Sequence, residues 1–186
     1  MNVFYLDPDP EICAQMHIDK HVVKMTLEYG QLLSTAHRLL DGHQWHDTTP
    51  RGRIIRRWYM DDPMMESTLY LAAHWNHPSA KWARVNEENY KWLYRLFVCV
   101  AKEYTYRYGK VHKTARVLED ILESPPANIE KGSFFEPYPA MAQYPHCIVE
   151  NDSITSYRNF YYEDKKDFSV WTKREKPFWW SQYETD

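Results

Sequence analysis

The sequence predicts an all-α protein: a single compact domain over residues 1–186, with about five helices and an irregular strap at 125–150. Three observations favour this class. Apolar residues recur with the spacing of helices over long segments, no useful run alternates as a strand would, and five prolines interrupt the pattern between 125 and 145. A chain of 186 residues is long enough for one domain with a substantial core and short for two.

The first predicted helix begins after Asp9 and runs to Leu40. Asp9 is suited to cap the helix, Pro10 suits its first turn, and Glu11 complements the positive end of the helix dipole. The Asp-Gly pair at 41–42 predicts the end of this helix. The expected apolar face consists of Ile18, Val22, Met25, Tyr29, Leu32, Ala36 and Leu40.

The remaining predicted helices are separated by Pro and Gly signals. Residues 43–62 are expected to form a loop with a cluster of arginines, and the strap is expected to be ordered because its aromatic residues need a surface to pack on. The predicted helices run from about 63 to 75, 79 to 108, 111 to 124 and 153 to 171.

Composition excludes several classes of protein. No run of 18 apolar residues occurs and the N-terminus is acidic, so no membrane span or signal peptide is expected and the predicted location is the cytoplasm. Three widely spaced cysteines predict reduced thiols rather than disulfides or a zinc knuckle. The net charge of −3 argues against a general nucleic-acid coating protein, so any anion site must be a local patch.

Polar residues form a stripe on the first predicted helix. At about 100° per residue, His17, Lys20, His21, Lys24 and Glu28 fall within one sector about 100° wide, and Gln31 extends it. Because apolar residues flank this sector, we expect it to be half buried and to bind an anion, with phosphate the best match for several nitrogen donors.

The stripe predicts a catalytic set of Glu28, His21 and His17. Glu28 is the candidate general acid or base, and Lys20, Lys24 and Gln31 are the candidate phosphate ligands. Two alternatives stay open: a solvated face with histidines satisfied by hydrogen bonds, or a metal held by the two histidines. Neighbouring lysines and the absence of a zincin glutamate disfavour a cation, so neither a metal nor a cofactor is predicted.

Further basic residues lie in segments that suit nucleic-acid binding. Arginines bind phosphates bidentately, helix starts favour anions, and basic residues interleaved with aromatic ones combine charge with stacking surfaces. For each segment the alternative is a solvated or purely structural role. The predicted phosphate- or DNA-binding residues in these segments are Arg51, Arg53, Arg56, Arg57, His77, Lys81, Arg107, Lys110, Arg158 and Lys165.

Three stretches resemble the phage pyrimidine-dimer DNA glycosylases of the endonuclease V type. They are "AQMH" at 14–17, "HPSAKW…NYKWLYRLF…EYTYRYGK" in the middle of the chain, and "KPFWWSQYE" near its end. The resemblance implies a phage-encoded helical enzyme whose N-terminal amine attacks the sugar as a Schiff-base nucleophile. It further implies an assisting glutamate in the first helix and basic residues that grip a kinked duplex with a flipped base.

The chain departs from that family at two points. The family exposes its amine on a small residue after removal of Met, whereas Asn2 is expected to retain Met1. Counted from His17, the family's glutamate falls near Lys24, so that Glu28 matches only with an inserted turn.

Three functions are therefore predicted. The first is a DNA enzyme directed at a pyrimidine base with glycosylase and lyase chemistry, acting on DNA or a nucleotide in the host cytoplasm. The second is a transferase for a phosphorylated or pyrophosphorylated hydroxymethyl pyrimidine in phage DNA, which needs no free N-terminal amine. The third is a noncatalytic phage factor that binds a nucleotide or a protein.

Overall fold

In a computed structural model that describes residues 1–184, the chain forms seven α-helices and one two-stranded antiparallel sheet. Three short 3₁₀ turns, at 145–147, 166–168 and 180–183, complete the regular structure. The elements in chain order are α1 Pro10–Met16, α2 Asp19–Asp41, β1 His43–Thr48, β2 Ile54–Tyr59, α3 Pro63–Thr68, α4 Pro78–Ala83, α5 Glu87–Tyr108, α6 Lys113–Leu122 and α7 Ser153–Lys165.

The all-α prediction is wrong, because the predicted loop at 43–62 contains a β-hairpin. Its strands pair from His43 opposite Tyr59 to Thr48 opposite Ile54. In the connecting turn Gly52 has a φ of +77°, a conformation that favours glycine. Most side chains of both strands are exposed, so neither face needs apolar residues and the usual alternation of a half-buried strand is absent.

The first predicted helix is in fact two helices, α1 and α2, separated at His17 and Ile18. Arg107 of α5 explains the break, since its guanidinium donates to the carbonyls of Gln15 and His17 at 3.0 and 2.8 Å. A buried side chain thus replaces the amide donors that a continuous helix would supply to these carbonyls.

Other predicted helices also end early. The predicted helix at 63–75 ends at Thr68. The residues that follow it are not helical, and the guanidinium of Arg38 donates to the carbonyls of Leu69 and Tyr70 at 2.8 Å. The predicted helix at 79–108 is divided into α4 and α5, and Asn86 caps α5 by accepting from the amide of Asn89. The last helix ends at 165 rather than 171.

Helix α2 lies at the centre of the packing and contacts α4, α5 and α6, while α1 packs on α5. Buried side chains from these helices, from the extended N-terminal residues 3–6 and from the tryptophans of the C-terminal segment form one continuous hydrophobic cluster. The strap contributes to this packing, since the carbonyl of Phe135 accepts from the indole of Trp82 at 2.9 Å. None of the helices within residues 1–184 has an apolar stretch long enough to cross a lipid bilayer.

Candidate active site

His17, predicted to be catalytic, lies fully buried at the break between α1 and α2. Its Nδ1 donates to the carbonyl of Cys13 at 2.8 Å, and its Nε2 accepts from the hydroxyl of Tyr29 at 2.9 Å. Burial lowers the pKa of His17 to about 4. The imidazole is therefore neutral and both of its nitrogens are engaged within the protein.

His21, also predicted to be catalytic, packs in the same region of the core. Its ring stacks on Phe4 with centroids 4.3 Å apart, and its Nδ1 lies 2.6 Å from the hydroxyl of Tyr161. Burial, reinforced by the positive charges of Lys165 and Lys24, lowers the pKa of His21 to about 2. The two histidines therefore add no positive charge to the predicted stripe, and the helix break leaves His17 outside α2, which carries the other members.

These buried histidines predict a loss of stability in mild acid. The unfolded chain protonates His17 and His21 near pH 6.5 whereas the folded chain does not, so protons favour unfolding as the pH falls from about 6.5 towards 4. Each histidine is expected to lower the free energy of unfolding by about 2 kcal/mol between pH 6.5 and 5. Urea denaturation at pH 7 and pH 5 measures this, and equal stability at the two values would contradict the assignment of neutral core histidines.

Glu28, the third predicted catalytic residue, occupies a different environment. Its carboxylate is mostly buried, with 13% of the side chain exposed, and lies 3.4 Å from the Nζ of Lys24, whose side chain is 65% exposed. Lys20 lies one turn earlier with its Nζ 4.3 Å from the ring centroid of Phe168, and Gln31 follows Glu28 on the same helix. Of the predicted stripe, Lys24 and Glu28 are the two members that the structure pairs.

The imidazole of His77 lies within electrostatic range of Glu28, and Met1 lies close to His77, since the Met1 carbonyl accepts from Ser79 at 3.5 Å. The Nδ1 of His77 accepts from the amide of Ser79 at 3.2 Å and so caps α4, which leaves Nε2 for a ligand. Burial lowers the pKa of His77, the positive charges of the Met1 amine and His74 lower it further, and the negative charge of Glu28 opposes them. We call Met1, Glu28, His74 and His77 the amine–carboxylate cluster.

Two unusual local features lie next to members of this cluster in the chain. His74 has a φ of +48°, in the left-handed region that non-glycine residues seldom adopt, and its carbonyl accepts from the amide of His77 at 2.8 Å. Asn2 places its Oδ1 in a buried position with no hydrogen-bond partner among the described residues. Strained backbone and unpaired buried polar atoms are both enriched at functional sites.

A cleft of about 660 Å³ opens on the other side of Lys24, between α2, α6 and the segment after α3. Val23, Leu27 and Val117 contribute apolar surface, Lys24 and Lys113 contribute positive charge, and none of the described residues that line it is acidic. Its volume lies within the range of small-molecule sites, which are mostly apolar with a few polar groups. Lys24 therefore borders both the cleft and Glu28.

The other predicted basic residues fall into two groups. Arg107, Arg158 and Lys165 are engaged within the protein, since Arg107 is buried among backbone carbonyls and carboxylates, Arg158 donates to the carbonyl of Leu6, and Lys165 pairs with Asp164. The exposed ones are Lys81 on α4, Lys110 after α5, and Arg51, Arg53 and Arg56 on the hairpin, where Arg57 is partly buried.

Sequence reasoning missed Met1 and His74 as members of the site. The spacing of "HWNHP" at 74–78 puts two histidines on one turn before a proline, and this was the available signal. No three His, Cys, Asp or Glu side chains in the described part of the chain are arranged to hold a metal ion. Comparison with protein-family models, with curated proteins and with solved structures finds no match for this chain.

Proposed function

We propose that this protein is an enzyme acting on a pyrimidine base in DNA, by transfer chemistry at a phosphorylated or pyrophosphorylated hydroxymethyl group. The observation that carries the proposal is the environment of Glu28. A mostly buried carboxylate stands 3.4 Å from Lys24 and within electrostatic range of His77, which in turn is influenced by the Met1 amine.

The charges of this site suit an anionic leaving group. Lys24 and the Met1 amine supply positive charge, and the free nitrogen of His77 supplies a hydrogen bond. When the bond between the methylene carbon and the phosphate oxygen breaks, its electron pair leaves with the phosphate. The nitrogen of a primary amine, supplied by a second substrate, bonds to the methylene carbon, and its proton passes to the Glu28 carboxylate, which acts as general base.

The cleft beside Lys24 is suited to the base itself. Apolar side chains such as Leu27 and Val117 offer surface to a flat ring, and a base flipped out of the duplex needs such a pocket. A pyrimidine in this cleft would direct its 5-substituent towards Lys24, which connects the cleft with Glu28.

Schiff-base glycosylase chemistry is the second candidate, favoured by a primary amine and a carboxylate that both act on the charge of His77. We rank it below transfer because a nucleophilic amine must be free to reach the sugar. Met1 is instead integrated into the structure, since its side chain packs against the core and its carbonyl accepts from Ser79 at 3.5 Å.

The test uses two duplexes and the purified full chain. One duplex carries a single 5-(pyrophosphoryloxymethyl)deoxyuridine and the other carries ultraviolet photoproducts; each is incubated with a primary amine as the second substrate, with and without borohydride. We expect consumption of the modified nucleoside, measured by mass spectrometry after digestion, and no borohydride-trapped adduct. A trapped adduct on irradiated DNA would establish the glycosylase instead, and binding without any reaction on either duplex would indicate the noncatalytic factor.

A further inference from the structure

We infer that the hairpin of β1 and β2 is a DNA-binding arm whose two strands lie in the major groove of a duplex. This inference rests on the proposed function, because it assumes that the substrate base is part of DNA. It adds a second contact surface, separate from the amine–carboxylate cluster, and assigns it a duplex partner.

The hairpin concentrates positive charge within an acidic chain. Residues 43–59 contain four arginines and one acidic residue, Asp47, whereas the whole chain has a net charge of −3. Arg51 and Arg53 lie at the exposed tip, on either side of Gly52. A local excess of arginine matches the phosphates that border a groove, because guanidinium groups bind phosphate oxygens in bidentate fashion.

Both faces of the hairpin are largely open to solvent. Trp45 is 45% exposed, Ile54 68% and Tyr59 44%, so large apolar side chains stand uncovered beside the arginines. The strands are directly paired over six residues each, which gives the arm a length of about 20 Å at the usual rise per residue. An isolated ribbon of this kind has no second layer of its own to cover it.

The base of the arm, by contrast, is firmly attached to the helices. Arg38 is buried and makes five hydrogen bonds, one of them to the carbonyl of Trp58 in β2 and another to the carboxylate of Glu66. At the start of β1, a Cβ on Gly42 would lie 2.8 Å from the carbonyl oxygen of Tyr59, so glycine permits a close approach there. A rigid base with an exposed tip keeps the arm in a fixed direction.

Two arginines of the arm are held by neighbouring side chains. Arg57 pairs with Asp47 at 3.8 Å, and the guanidinium of Arg56 lies 5.2 Å from the ring centroid of Trp75. Such contacts preorganise the guanidinium groups, which lowers the entropy lost when they bind. The major groove of B-DNA is about 12 Å wide and accommodates a two-stranded ribbon. Charge, length and exposure thus all fit a duplex groove.

The experiment compares two double variants of the full chain by fluorescence anisotropy with a labelled 20-base-pair duplex. Arg51→Ala with Arg53→Ala removes two cations from the tip, and Arg95→Ala with Lys102→Ala removes two from the exposed face of α5. We expect the tip variant to bind the duplex at least tenfold more weakly and to lower the slope of log Kd against log salt by about 2. The α5 variant should stay within twofold of the wild type.

A single strand of the same length separates groove binding from general attraction to phosphate. We expect the tip variant to lose less affinity for the single strand than for the duplex. Equal losses of affinity for the single strand and the duplex would overturn the inference that the hairpin binds a duplex groove. So would a tip variant that binds the duplex as well as the α5 variant does. Turnover of the modified nucleoside in a trinucleotide distinguishes failure of the proposed transfer reaction from failure of the DNA-binding arm. A trinucleotide has no duplex groove, so its turnover depends on the amine–carboxylate cluster and not on the arm.

Discussion

Arg107→Ala is expected to destabilise the protein by about 3–5 kcal/mol, because it leaves buried charges and carbonyls without their partner. The Arg107 guanidinium is fully buried and binds the carboxylates of Glu103 at 2.7 Å and Asp19 at 2.8 Å, as well as the carbonyls at the break between α1 and α2. Burial alone would raise the pKa of Glu103, but hydrogen bonds from Arg174 and Arg107 hold it below its usual value. Urea denaturation measures the loss.

Lys110→Ala is the matched control for this prediction. Lys110 is an exposed cation three residues further along the chain, and its replacement is expected to change the free energy of unfolding by no more than about 0.5 kcal/mol. A variant Arg107→Ala that stays as stable as Lys110→Ala but loses affinity for DNA would show that Arg107 binds phosphate, as its sequence context suggested.

Glu28→Gln is expected to reduce turnover of the modified nucleoside by a factor of about 10²–10⁴, the usual contribution of a general base. Its stability should change little, since the pair it forms with the largely exposed Lys24 is worth no more than about 0.5 kcal/mol. Glu88→Gln provides the control, because Glu88 also pairs with a lysine on a helix surface, at 2.9 Å from Lys91. Equal activity of the two variants would remove Glu28 from the mechanism.

Long periodic segments of the sequence were sufficient to predict much of the helical structure. Of the expected apolar face, Val22, Met25, Tyr29 and Leu32 are fully buried, as are Ile18 and Ala36, while Leu40 is partly buried. The helix breaks could not be predicted, because the break at His17 depends on Arg107, which lies 90 residues away in the sequence. The hairpin was missed for another reason: exposed strands carry no apolar alternation by which periodicity could identify them.

The candidate site was only partly accessible to sequence reasoning. Helical spacing correctly placed Lys24 beside Glu28 on one helix face. The same spacing grouped His17 and His21 with them. In the structure both histidines form hydrogen bonds with tyrosine hydroxyls in the core, and helical spacing cannot distinguish such a histidine from one that faces solvent. His77 comes within electrostatic range of Glu28 and of Met1 only through tertiary packing of the N-terminal segment and α4, which no local pattern encodes.

The most direct test of the central claim is the ratio of two dissociation constants. The wild-type chain is titrated against one duplex with a single 5-(pyrophosphoryloxymethyl)deoxyuridine and against the same duplex with 5-(hydroxymethyl)deoxyuridine. We expect at least tenfold tighter binding of the pyrophosphorylated duplex, with a ratio close to one for Lys24→Ala and an unchanged ratio for Lys102→Ala. Equal affinity of the wild type for both duplexes would contradict a site for an anionic leaving group at Lys24 and Glu28.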